Sequence, residues 1–110
     1  MPLSIPEGGE RIEKLMGIAM PEVLPVLERV MASLDLPYRV VEVNEEERHL
    51  VADLPAPSQL VLQVRRMPEA RVGGRIRLPR TRLVVLLRGD EALRQEFFRQ
   101  LAWAFLRAGG

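Results

Sequence analysis

Cysteine is absent from the chain, which excludes disulfides, thiolate zinc sites and a cysteine nucleophile. Histidine occurs once, at His49, so a zinc centre would need most of its ligands from carboxylates. Lysine also occurs once, at Lys14, and the other fifteen bases are arginine. A GC-rich genome writes its basic positions in this way. With one asparagine and nine prolines, the composition is also one that thermophile proteins share. Aromatic side chains number five, Tyr38, Phe97, Phe98, Trp103 and Phe105, too few for a base-stacking platform. No apolar run approaches the roughly 20 residues that span a bilayer. Met1–Gly9 lacks the basic start and apolar stretch of a signal peptide. The expectation is a cytoplasmic protein without membrane contact, cofactor or metal.

What is present is a folded-protein composition, 47% hydrophobic and 28% charged over 110 residues, enough for a single domain spanning 1–110. Its charge is unevenly distributed. Residues 1–64 hold eleven acids and five bases, 65–82 hold seven arginines and one acid, and 83–110 hold three acids and four bases. A formal net charge of +1 therefore hides a concentrated basic block beside an acidic remainder.

The apolar spacing sets the expected elements. Ile12, Leu15, Met16 and Ala19 recur at helical intervals and predict a short helix over roughly 8–18. Pro21 and Pro25 interrupt the stripe, and a second helix runs to about Leu34, where Leu36-Pro37 ends it. From Tyr38 the period shortens. Tyr38–Val43 and His49–Leu54 read as a hairpin about the acidic connection 44–48. Leu60, Leu62 and Val64 alternate with Val61, Gln63 and Arg65 in a third strand. Arg75–Leu78 makes a short fourth, and Leu83–Leu87, unbroken and apolar, the most buried one. Asp90 is placed to cap a last helix that runs to about Ala108 before Gly109-Gly110. Helices segregated from a meander predict an α+β two-layer sandwich, with four to five antiparallel strands, N-terminal helices and a long C-terminal helix.

Three features bear on function. Arg65, Arg66, Arg71, Arg75, Arg77, Arg80 and Arg82 could bind an anion or track a nucleic-acid backbone, with Gly73-Gly74 admitting main-chain amides. Arg75 with Arg77, and Arg80 with Arg82, would project in pairs. The plainer expectation is a solvated hairpin face salt-bridged to Glu42, Glu45, Glu46, Glu47 and Asp53. On the last helix Leu93, Phe97, Leu101, Ala104, Phe105 and Ala108 form one apolar arc, with Phe98 at its margin. Trp103 falls nearly opposite, with Leu106 near it, and such a placement fits an intermolecular contact unless the N-terminal helices cover it. Glu45–His49 with Glu42 and Asp53 contains metal-ligand types, but adjacent strand residues point to opposite faces, and an acidic turn accounts for the run.

No G-x-S-x-G, Walker or G-x-G-x-x-G pattern occurs, and an enzyme is not expected. The first reading is a small module that forms homo-oligomers or binds a protein partner through Trp103 and Leu106, with the arginines facing an anionic partner. The second is an electrostatic nucleic-acid binder. The third is a small-ligand cavity between sheet and helix lined by Met16, Met20, Met31, Phe97 and Leu101, residues that serve equally as ordinary core.

Overall fold

Met20, Val23, Leu27, Val30 and Met31 recur at helical spacing. In a computed structural model, which describes residues 9–107, they form the buried stripe of helix α1 (Met20–Ser33). Pro21 occupies its first turn. Pro25 lies inside the helix rather than ending it, exposed on the same outer side as Pro21. There water can take the place of the missing N–H at the Pro21 carbonyl. The C-terminus closes with Asp35 at a φ of 55°: its N–H donates to the Ala32 carbonyl at 3.1 Å, and Leu36 N–H to that of Met31 at 3.0 Å. Asp35 thus fills the left-handed position usually held by glycine.

The helix expected over 8–18 is not there. Residues Glu10–Met16 form strand β1, and residue 8 lies outside the described residues. Ile12 and Met16, four apart, fit a period of two as well as a helical stripe, so local spacing does not separate the two states. Pairing decides it, since β1 runs antiparallel to β5 (Ile76–Arg88) from Glu10↔Leu87 to Met16↔Thr81. The Thr81 hydroxyl, fully buried, donates to the Ile18 carbonyl at 2.5 Å and pins the link between β1 and α1.

The remaining strands are β2 (Tyr38–Asn44), β3 (Glu47–Ala52) and β4 (Gln59–Val72). All five lie in one antiparallel sheet of order β1-β5-β4-β3-β2: a four-strand meander whose far edge is completed by the first strand of the chain. Strands β4 and β5 are longer than their sequence suggests. The separate strands expected at 75–78 and 83–87 are one continuous β5, and β4 does not stop at Arg65. Helix α2 (Glu91–Arg107) follows β5, its start fixed by the Asp90 carboxylate accepting from Leu93 N–H at 2.8 Å. Ala108 and the two final glycines lie outside the described residues. Asp90→Ala should cost about 1 kcal/mol of unfolding free energy. Equal urea midpoints for the two proteins would remove Asp90 from this role.

The architecture is an α+β sandwich, with one N-terminal helix instead of two. Both helices pack on one face of the sheet, where Leu50, Leu60, Leu62, Val64, Leu83, Val85 and Leu87 meet Leu27, Met31, Phe97 and Phe105. Strand β5 is buried throughout Leu83–Leu87, as its apolar run predicts, because Val84 and Leu86 join Val61 in a second small cluster on the opposite face. Among the described residues no helix is long and apolar enough to cross a membrane.

Candidate functional site

The seven arginines of the basic block fall on a single β-hairpin. Strand β3 stops pairing with β4 at Glu47↔Arg65, and β1 stops pairing with β5 at Met16↔Thr81. Beyond those points β4 and β5 continue alone as a two-stranded arm, to Val72↔Ile76. Pro68 sits at a register shift between Met67 and Ala70, opposite the segment that holds Pro79, so neither ring breaks a regular ladder. Gly73 and Gly74 turn the tip with φ of 64° and 73°, values that L side chains rarely adopt.

The arginines divide into two groups. At the root, Arg65 and Arg82 lie directly opposite one another, and each meets a carboxylate from a flanking strand. Arg82 Nε is 2.7 Å from Glu13 Oε1, an ion pair whose alignment falls short of a good hydrogen bond, and Arg65 Nη1 is 3.9 Å from Glu47 Oε1. The Arg82 guanidinium, with help from Arg11, holds the Glu13 carboxyl below its ordinary value against the opposing effect of partial burial. Arg66, Arg71, Arg75, Arg77 and Arg80 make no ion pair among the described residues. Of the acids expected to neutralise the block only Glu47 does so; Glu42 pairs with Arg48 instead. Arg75 occupies the turn, so it does not share a strand face with Arg77, whereas Arg80 and Arg82, two residues apart on β5, do share one.

The helix-free face of the sheet carries a feature that the sequence reading missed. Cross-strand pairing brings His49 beside Gln63 and Glu47 beside Arg65, and with Arg82 and Val84 they line a shallow groove of ≈ 650 Å³. His49 Nε2 is 2.6 Å from Glu47 Oε2. The signal was the alternation of polar residues along β3 and β4, but it needs the register to become a site. Among the described residues no group of three or more His, Asp or Glu is arranged to hold a metal ion.

The α2 surface is the third candidate. Phe97, Leu101 and Phe105 are buried, with Leu93, Phe98 and Ala104 beside them. Trp103 remains 55% exposed and Leu106 71% exposed. Helix α1 approaches this side without covering it: Val26, Val30, Trp103 and Ala104 border a groove of ≈ 270 Å³ between the helices. The residues suggested for a ligand cavity, Met16, Met20, Met31, Phe97 and Leu101, all belong to the main core.

No family model matches the chain, and no curated protein does. One solved structure, DR_A0006 from Deinococcus radiodurans, aligns over 90% of this chain and 92% of its own, with 12% identity and a TM-score of 0.28.

Proposed function

We propose that this chain is a small non-enzymatic module that associates with a protein partner, in the simplest case a second copy of itself, through Trp103 and Leu106. The observation that carries the reading is the exposure of these two large apolar side chains, 55% and 71%, three residues apart on α2. Trp103 borders the groove that Val26 and Val30 of α1 also line. A tryptophan beside a shallow groove that mixes Val26, Val30 and Ala104 with Arg29, Ser33, Arg99 and Gln100 has the chemistry of an interface anchor, since its large area is gained with few rotatable bonds. The non-enzymatic part rests on the sequence, which has no cysteine, one histidine and no nucleophile motif.

Sedimentation equilibrium tests the self-association reading. The expected result is a native mass that is a multiple of 12.5 kDa. Trp103→Ala should weaken assembly by about 2 kcal/mol, roughly thirtyfold, the effect of losing an anchor residue. A 12.5 kDa particle at every accessible concentration would end the self-association reading, as would a variant that assembles like the parent.

A further inference from the structure

We propose that the β4–β5 arm is a double-stranded DNA-binding element, which enters a groove and takes backbone phosphate between Arg71 and Arg77. The inference is independent of the α2 contact. It starts from a like-charge juxtaposition. Residues directly opposite in an antiparallel pair have Cβ atoms about 5 Å apart, and two like charges there destabilise the ribbon. This hairpin contains two such pairs, Arg65↔Arg82 at the root and Arg71↔Arg77 near the tip. The root pair is neutralised by Glu47 and Glu13. The tip pair has no carboxylate partner among the described residues, and neither do Arg66 on the same face, Arg75 in the turn or Arg80 on the opposite face. Two facing guanidinium groups without a counter-charge form a receptor for an anion with two oxygens to share, and a phosphodiester is such an anion.

The shape of the arm selects the polymer. It is two strands wide and projects past both flanking strands, and a B-form major groove admits a two-stranded ribbon of this kind. Its register separates a basic face holding Arg71 and Arg77 from an opposite face holding Val72, Ile76 and Leu78. Those three aliphatic side chains are 50%, 58% and 43% exposed. A ribbon lying on a membrane with its apolar face down would turn Arg71 and Arg77 away from the headgroups. Standing edgewise between the two walls of a groove, the ribbon can set its arginine face against phosphate on one wall. Its aliphatic face then lies against deoxyribose carbons on the other, with thymine methyls at its edge. The deep, narrow major groove of duplex RNA does not admit such an element. Between Met67 and Arg80 the arm has no Asn, Gln, Ser or Thr to read base edges, so with its arginines engaged on phosphate recognition is driven by the backbone and is weakly dependent on sequence.

The test is fluorescence anisotropy of a labelled random-sequence DNA duplex of roughly 20 base pairs with the full chain, between about 50 and 200 mM salt. If Arg66, Arg71, Arg75 and Arg77 contact phosphate, the logarithm of the association constant should fall with log salt at a slope near about −3.6. R71Q/R77Q should reduce that slope by about 1.8 and weaken binding roughly fiftyfold at 0.1 M salt. Its circular dichroism melt should not fall, because both positions are exposed and the change removes a like-charge pair. Trp103→Ala should bind DNA like the parent, which separates this result from failure of the α2 contact. Absence of saturable DNA binding at low salt overturns the proposal. So does an unaltered slope in R71Q/R77Q, preference for duplex RNA, or binding to phosphatidylserine–phosphatidylcholine vesicles in place of DNA.

Discussion

Phe97→Ala is expected to lower the unfolding free energy by about 3–5 kcal/mol, the largest effect of any single substitution considered for this chain. Phe97 has no exposed surface and lies in the one core that joins both helices to the sheet. Its ring meets that of Phe98 edge to face, with centroids 5.1 Å apart and planes at 71°, so truncation also removes a favourable aromatic pair. A domain of this size has about 5–15 kcal/mol in total, and the variant should lose a large fraction of it. Equilibrium urea unfolding followed by far-ultraviolet circular dichroism measures the difference directly. A loss below about 1 kcal/mol would mean that α2 is not anchored by this ring.

Pro25→Ala should act in the opposite direction. Proline in a helix interior is about 3 kcal/mol less favourable than alanine, because it removes a hydrogen bond and crowds the carbonyl four residues back. Alanine at residue 25 restores an N–H that can donate to Pro21. The unfolded chain also gains freedom, which offsets about 0.4–1 kcal/mol. The net expectation is stabilisation by about 2 kcal/mol, read as a higher thermal midpoint. Residue 25 is exposed, so no packing is lost. A lower midpoint in Pro25→Ala would show that the ring stabilises α1 where it stands.

That proline also marks where local rules misread the chain. In isolation a mid-helix Pro argues for a break, yet Val23, Val26, Leu27, Val30 and Met31 bury enough apolar surface to keep α1 continuous through it. The first strand was misread for the complementary reason. Glu10–Met16 contains apolar residues compatible with either period, and the partner that settles the matter, Ile76–Arg88, lies more than sixty residues away. Strands β2 and β3 were legible as β-like runs on either side of an acidic turn, and inner β4 from the alternation of Leu60, Leu62 and Val64 with their neighbours. Inner β5 was legible from the unbroken apolar run Leu83–Leu87, which is buried on both faces. So was the start of α2, where Asp90 supplies the cap that its side chain and position suggest. Pro68 punctuates the basic block in the sequence, and the register shift beside it accommodates the ring within one arm.

The candidate surfaces divide along the same line. Charge segregation and the outward position of Trp103 depend only on local order and could be read directly. Which arginines are neutralised depends on Glu13 and Glu47, which reach Arg82 and Arg65 from β1 and β3 by non-local pairing. The split between a compensated root and an uncompensated tip therefore exists only in the folded hairpin.

The position of β1 at the far edge of the sheet has a temporal consequence during synthesis. Translation makes β1 before any other strand, but its partner β5 is the last strand to be made. Until then the nascent segment carries Ile12 and Leu15 with no neighbour to cover them. Arg11, Glu13 and Lys14, interleaved with those two residues, keep the waiting strand hydrated and discourage it from pairing with another chain. Closure of the sheet is thus a late event, set by the arrival of residues 76–88 and not by the folding of the meander alone.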